Sequence, residues 1–143
     1  MNANANELAT SRLLKATPEQ VFEAFSDPAK LTRWWGPNGF TSTFEVFDFR
    51  PGGEWKFMFH GPDGANYPNE LRFAEIVRPD KLVIRHANPD FTATILLEPA
   101  DGGTKLTFRQ QFDNAQDFEA IKSIAEGANE QNLDRLEAVL YNG

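Results

Sequence analysis

The chain contains no cysteine, which excludes disulfide bonds, thiolate nucleophiles and zinc sites built from cysteine. It also lacks any long apolar run: the longest uninterrupted one, residues 138–141, falls far short of the roughly 20 residues that a membrane-spanning helix needs. The opening residues, MNANANEL, carry neither the basic nor the apolar stretch of a targeting signal. These absences together predict a cytoplasmic protein that does not insert into membranes.

Basic residues are scarce as well, with 14 Lys and Arg against 21 Asp and Glu and a net charge of −7. Clustered cations supply most of the affinity for nucleic acid, and no basic stripe is present, so a nucleic-acid partner is excluded. The two histidines, His60 and His86, share no metal-binding spacing, and neither a metal nor another cofactor is predicted. No serine lies in a Gly-x-Ser-x-Gly elbow, so no catalytic residue is predicted.

Phenylalanine, by contrast, is abundant, and thirteen of them in 143 residues indicate an unusually large apolar interior for one domain. A first strand is predicted at residues 7–16, and the TPEQ sequence at 17–20 predicts a capping box that begins the first of two short helices. Period-two alternation, clearest in Trp55, Phe57 and Phe59, predicts a series of strands between residues 40 and 112. Short turns between consecutive strands imply an antiparallel meander.

The last segment predicts a long helix from a cap at Asn114 to about residue 141, with an apolar stripe that needs a partner surface. The sheet is the only surface large enough. The predicted fold class is therefore α+β, a helix-grip fold: a curved antiparallel sheet of about six or seven strands wraps around a long C-terminal helix, and two short helices lie between strands 1 and 2. A cavity between sheet and helix is a natural consequence of this geometry.

Five motifs then point to a family: RWWGPNGFT (33–41), DFRPGGEWKF (48–57), EIVRPDKLV (75–83), LEPADGGTKLTFRQ (97–110) and LDRL (133–136). In this order they closely resemble single-domain bacterial proteins similar to the C-terminal domain of the heat-shock-protein ATPase activator (AHSA-type), of the START-like, birch-pollen-allergen-like SRPBCC superfamily. The resemblance implies one START-like helix-grip domain over residues 1–143, with residues 1–6 disordered. It further implies a hydrophobic cavity for apolar, aromatic or lipid-like small molecules, and a role in stress response.

One departure from the family concerns the long helix. Members usually carry Gly-Trp where this chain has Gly127-Ala128, and a methyl group in place of an indole enlarges the cavity unless a neighbour such as Phe108 or Trp55 fills it. A glycine in mid-helix costs roughly 1 kcal/mol relative to alanine, which favours a close backbone approach or a bend at Gly127.

The predicted ligand-binding residues come from the inner positions of strands and helix, with Trp35 and Phe40 at the mouth of the cavity. The full set is Trp35, Phe40, Trp55, Phe57, Phe59, Phe73, Glu75, Ile84, His86, Phe108, Gln110, Ile124 and Ala128. Glu75, His86 and Gln110 are its polar members. They either form a handle for a ligand carbonyl or hydroxyl, or lie at strand ends and reach water. The second alternative is favoured because alternation slips at bulges.

Three functions remain open at this stage. The first is a hydrophobic small-molecule-binding domain that is not an enzyme. The second is a cyclase or aromatase in which Glu75 or His86 moves a proton on a polyketide-like substrate. The third is a chaperone contact that activates an ATPase, which is disfavoured because the eukaryotic activator has an additional N-terminal domain. The acidic side of the long helix, with Glu130, Asp134 and Glu137 among others, is predicted to be a solvated face.

Overall fold

The computed structural model describes residues 6–87 and 90–142, the last without its side chain. Seven strands form one antiparallel sheet in the order β1-β7-β6-β5-β4-β3-β2, so that β1 and β2 are its edges. The strands are β1 (Glu7–Leu14), β2 (Thr41–Phe47), β3 (Glu54–His60), β4 (Asn66–Val77), β5 (Lys81–His86), β6 (Phe91–Ala100) and β7 (Gly103–Phe112). Apart from Asn6, the disorder expected at residues 1–6 lies outside the described residues.

Three helices complete the fold. The short helices α1 (Pro18–Ser26) and α2 (Pro28–Trp34) lie between β1 and β2, and the long helix α3 (Ala115–Asn142) follows β7. The predicted α+β helix-grip architecture is therefore confirmed. None of the helices in the described part of the chain combines the length and the apolar character needed to cross a membrane.

The helices begin where the capping signals predict. The Thr17 hydroxyl accepts a hydrogen bond from the Gln20 backbone N–H at 3.1 Å, and the Thr17 backbone N–H donates to the Gln20 side chain at 2.8 Å. The Asn114 side chain accepts from the Asp117 backbone N–H at 2.8 Å in the same way. These bonds satisfy helix N–H groups that have no partner within the helix.

The acidic face of α3 is largely exposed, as predicted, but three of its carboxylates also bind a cation of the sheet. Arg12 on the edge strand β1 forms salt bridges with Glu130 at 2.8 Å and with Asp134 and Glu137 at 2.6 Å. Burial alone would lower the pKa of Arg12, but hydrogen bonds with Asp134, Glu137 and Glu130 outweigh it and raise that pKa above its ordinary value. The cluster ties α3 to the edge of the sheet.

A second ion pair joins the end of β7 to β5 and has a measurable pH signature. The Arg85 guanidinium donates two hydrogen bonds to the Asp113 carboxylate, at 2.9 and 2.5 Å, and thereby lowers the Asp113 pKa below its ordinary value of 3.8. A depressed carboxylate pKa stabilises the fold above the unfolded-state pKa, and this stabilisation disappears as pH falls through the folded-state pKa.

We therefore expect Arg85→Gln to raise the pKa of Asp113 towards 3.8, because the charged partner is lost. A carboxyl-carbon NMR titration of both proteins measures the midpoint directly. Arg85→Lys is the control, since it keeps the charge and should keep part of the depression. An Asp113 midpoint that is the same in wild type and Arg85→Gln would contradict the assignment.

Gly127 is not required by a close backbone approach, so that one of the two expectations is wrong, while a bend stays a prediction. A Cβ built on Gly127 meets nothing within 4 Å among the described residues outside the helix's own nearby backbone, and α3 is helical through this position. Removing the flexibility of a mid-helix glycine should therefore stabilise the protein.

We expect Gly127→Ala to raise the free energy of unfolding by about 1 kcal/mol, or the melting temperature by roughly 3 °C. Thermal and denaturant unfolding measure this change. Gly36→Ala is the matched control and should destabilise, because Gly36 has φ +110° and its Cβ would lie 2.8 Å from Phe59. If the Gly127→Ala protein were less stable than the wild type, the finding that a Cβ at position 127 meets no neighbouring atom would be contradicted.

Candidate functional site

A pocket of about 150 Å³ lies between the inner face of the sheet and α3. We call it the grip pocket. Its walls are contributed by β3 to β7, by α3 and by the turn that follows α2. The lining residues are Trp35, Gly36, Pro37, Phe57, Phe59, Asn69, Leu71, Ile84, His86, Phe91, Ala93, Phe108, Gln110, Ala128, Asn129 and Asn132.

Aromatic side chains form much of the wall because the alternation of the strands places them there. Phe57 and Phe59 stand two residues apart on β3 and therefore on one face, with ring centroids 4.7 Å apart in an edge-to-face arrangement. The His86 ring stacks on Phe91, with centroids 4.4 Å apart and ring planes within 9°. The apolar wall thus extends from β3 to the opposite side of the pocket.

The turn after α2 is held against α3 by hydrogen bonds from the helix. The Asn132 side-chain oxygen accepts from the Gly36 backbone N–H at 3.0 Å. Arg135 donates to the carbonyl oxygens of Gly36 and Pro37, at 2.8 and 3.0 Å. Burial lowers the pKa of the Arg135 guanidinium. Only glycine fits at position 36, since a Cβ there would collide with Phe59.

His86 has a neutral amide as its partner inside the pocket. Its Nε2 lies 2.9 Å from the Asn69 side-chain oxygen, while the Asn69 side-chain nitrogen donates to the Tyr67 carbonyl at 3.0 Å. That second bond fixes the orientation of the amide, and it follows that the His86 Nε2 carries a proton and donates. The Asn69 amide therefore orients the imidazole without adding a charge.

Two further amides meet across the pocket, one from the sheet and one from the helix. Gln110 on β7 is only 9% exposed, and its side-chain oxygen accepts a hydrogen bond from the Asn129 side-chain nitrogen at 2.8 Å. The pair joins β7 to α3. Sequence reasoning found Gln110 but missed Asn129.

Among the predicted ligand-binding residues, one group lines the grip pocket. Its members are Trp35, Phe57, Phe59, Ile84, His86, Phe108, Gln110 and Ala128. Ala128 contributes only a methyl group to the wall. Whether these residues contact a ligand stays a prediction.

Three aromatic residues of the predicted set lie outside the lining. Trp55 and Phe73 are each 1% exposed and pack behind the wall, with the Trp55 ring centroid 4.9 Å from that of Phe57. Phe40 packs against Phe59 and Tyr67, with centroids 5.7 and 6.0 Å away. Alternation identifies the inner face of a strand, but it does not say where along the strand the pocket lies.

Glu75 does not face the pocket, and its predicted place on the inner face is wrong. The pairing of β4 with β5 shifts between Phe73 and Glu75, so that one extra residue, Ala74, bulges from β4. Glu75 is consequently exposed and forms a salt bridge with Lys81 at 3.3 Å. Glu75, one of the two residues offered for proton transfer in the cyclase alternative, is therefore absent from the pocket lining.

Ile124 is also misplaced by the prediction, since it is 73% exposed. Its neighbour Ala125 is 6% exposed and belongs to the buried face of α3. Consecutive residues are about 100° apart around a helix, which carries Ile124 off that face. The inner positions that sequence reasoning missed are the polar residues Asn129 and Asn132, spaced at four and seven residues from Ala125.

A wider groove elsewhere on the molecule lacks the character of a small-molecule site. The groove between β1 and α3 has a volume of about 360 Å³ but is lined by polar and acidic residues such as Glu7, Glu126 and Glu130. Within residues 6–87 and 90–142, no cluster of three or more His, Asp or Glu residues could hold a metal ion. Ligand sites are typically apolar with a few convergent polar groups, which describes the grip pocket.

A seven-stranded antiparallel sheet that grips a long C-terminal helix defines a helix-grip domain of the START-like SRPBCC superfamily. The chain belongs to the family of Activator of Hsp90 ATPase homolog 1-like proteins, whose family model matches residues 15–141. No curated protein matches the chain. The predicted family resemblance is confirmed.

Solved structures agree with this assignment. A protein from Chromobacterium violaceum has a TM-score of 0.84 and 29% identity, over 94% of this chain and 96% of its own. A protein from Nitrosomonas europaea has a TM-score of 0.90 and 24% identity, over 99% and 97%. The AHSA1 protein of Silicibacter pomeroyi has a TM-score of 0.79 and 22% identity, over 94% and 97%. The last two likenesses concern the fold alone.

Proposed function

We propose that the protein binds one small apolar or aromatic molecule in the grip pocket. The observation that carries the proposal is a pocket of about 150 Å³ walled by phenylalanines and aliphatic side chains, to which Ala128 of α3 contributes only a methyl group. The fold family commonly binds hydrophobic ligands, which supports the same assignment. Burial of an apolar ligand there removes about 25 cal/mol of unfavourable hydration per Å².

The size of the pocket favours a single ring over a lipid. A dry apolar cavity of about 150 Å³ accommodates benzene, whereas drug-sized ligands occupy roughly 300 to 1,000 Å³. An acyl chain would need to displace wall residues such as Phe57 or Phe108. We therefore propose a one-ring or compact two-ring aromatic molecule as the ligand class.

An enzymatic role has less support than binding. The cyclase alternative used Glu75 or His86 to move a proton, but Glu75 lies on the outer face, and the His86 Nε2 bonds to the neutral Asn69. The single START-like domain, the chaperone contact, the stress-response role and the cytoplasmic location stay predictions from the sequence.

Titration of the ¹⁵N-labelled protein with toluene tests the proposal. We expect saturable shifts of the amide signals of Ala93, Phe108 and Ala128 at one toluene per chain, with a Kd of about 1 mM or below, equivalent to about −4 kcal/mol. Thr10 and Glu126, which line the polar groove, serve as internal controls. Shifts that fail to saturate, or that are equal at the control residues, would contradict a ligand site in the grip pocket.

A further inference from the structure

The amide pair in the grip pocket leaves two hydrogen-bonding atoms without partners. The Gln110 side-chain oxygen and the Asn129 side-chain nitrogen bond to each other at 2.8 Å. The other two amide atoms, Gln110 Nε2 and Asn129 Oδ1, make no further hydrogen bond within the described part of the chain. One donor and one acceptor therefore remain available on two neighbouring side chains that line the pocket.

These two atoms remain reachable from the pocket or from solvent. The fully buried side-chain polar atoms without a partner, within the described ranges, are Trp35 Nε1, Ser42 Oγ and Trp55 Nε1, and neither amide atom belongs to that group. Gln110 itself is more than nine-tenths buried. A buried polar group is normally hydrogen-bonded, so an available donor on so buried a side chain points to a partner that enters the pocket.

The charge of the wall restricts that partner further. None of the described residues that line the grip pocket is Asp, Glu, Lys or Arg. His86 is the ionisable side chain in this lining, and its Nε2 is already bonded to Asn69, so an ionised group that entered the pocket would lose its hydration and meet no Asp, Glu, Lys or Arg, which disfavours carboxylates and ammonium groups. The partner is therefore a neutral molecule.

We infer that the grip pocket selects a neutral one-ring aromatic molecule bearing an amide-type group, with a carbonyl oxygen next to an N–H. Gln110 Nε2 donates to the ligand carbonyl, Asn129 Oδ1 accepts from the ligand N–H, and the aromatic wall holds the ring. Gln110 and Asn129 are the specificity-determining residues. This inference rests on the proposed binding function and names its ligand class.

Four small probes, measured by the same NMR titration on the wild-type protein, test the inference. Benzamide carries a carbonyl oxygen next to an N–H, and acetophenone carries the carbonyl alone. Benzoate carries a negative charge, and toluene carries none of these groups. We expect benzamide to bind about fivefold more tightly than acetophenone, because acetophenone offers Asn129 no N–H. We expect benzoate to bind at least 100-fold more weakly than benzamide.

A double variant, Gln110→Met with Asn129→Leu, tests the two residues directly. It replaces both amides by apolar groups of similar shape, so that no orphaned polar atom remains. The ratio of the benzamide affinity to the toluene affinity should fall at least tenfold in this variant, because only benzamide uses the two amides, and an unchanged ratio would overturn the inference. A well-dispersed spectrum verifies folding, and the wild-type probe series decides the question if the variant does not fold.

The outcomes separate the inference from the proposed function. If toluene binds but benzamide is no tighter than acetophenone, the inference is overturned and the binding function stands. Equal affinities for benzoate and benzamide overturn it as well. If no probe binds, both the proposed function and the inference are overturned.

Discussion

Replacing Ala128 with tryptophan is expected to abolish the binding of toluene. Ala128 lines the grip pocket from α3, and an indole at this position would extend into the space that the ligand needs. The family resemblance implies a tryptophan at this position in other members, so we expect the fold to tolerate the larger side chain. We expect the Kd of toluene to rise at least 100-fold, beyond the range of the NMR titration, while the melting temperature stays the same or increases.

Ile124→Trp is the matched control for this experiment. It adds the same indole one helical turn earlier on α3, at a side chain that is 73% exposed and does not line the pocket. Its affinity for toluene should equal that of the wild type. Wild-type affinity in Ala128→Trp, or an equal loss in both variants, would contradict the placement of the ligand under Ala128.

Trp55→Ala is expected to lower the free energy of unfolding by about 3 to 5 kcal/mol, the usual cost of truncating a buried tryptophan. Trp55 is 1% exposed, and its ring centroid lies 5.1 Å from that of Trp35 and 5.9 Å from that of Phe73. The loss is large because these rings, held by their own packing, do not collapse fully into the vacated space. Denaturant unfolding, with an unchanged slope, measures the difference.

Trp55→Phe distinguishes a packing role from a hydrogen-bonding or ligand-binding role. The Trp55 Nε1 is buried and has no hydrogen-bond partner in the described part of the chain, so removing it sacrifices no bond. We expect this variant to lose less than half of the stability that Trp55→Ala loses, and to bind toluene like the wild type. Equal losses of stability in the two variants would show that the N–H has a partner and that packing is not the main contribution of Trp55.

The architecture could be predicted because local signals and hydrophobic periodicity agreed with each other. Thr17 and Asn114 cap the helices as their sequence contexts indicate. Strict alternation along each strand correctly predicts which side chains lie on the inner face of the sheet, among them Phe57, Ile84 and Phe108. Where alternation is interrupted, prediction fails: the bulge at Ala74 moves Glu75 to the outer face, and the one proline of β4, Pro68, lies six residues earlier and does not mark that position.

The pocket itself was less predictable, for a physical reason that α3 illustrates. Sequence patterning assigns apolar residues to the interior, and it therefore selected Ile124 over Asn129 and Asn132. In the structure Ile124 faces outwards, while the two asparagines line the pocket and bond to Gln110 and Gly36. Their polar groups are satisfied by tertiary contacts that only the folded arrangement of β7, α3 and the turn after α2 creates.

Intermolecular nuclear Overhauser effects from bound toluene are the most direct test of the central claim, which is that the grip pocket is the ligand site. We expect nuclear Overhauser effects between toluene protons and four side chains that line the pocket from different elements: Phe57, Ile84, Ala93 and Ala128. Effects to Ile124, or to residues of the groove between β1 and α3 such as Thr10, in place of these four would contradict it.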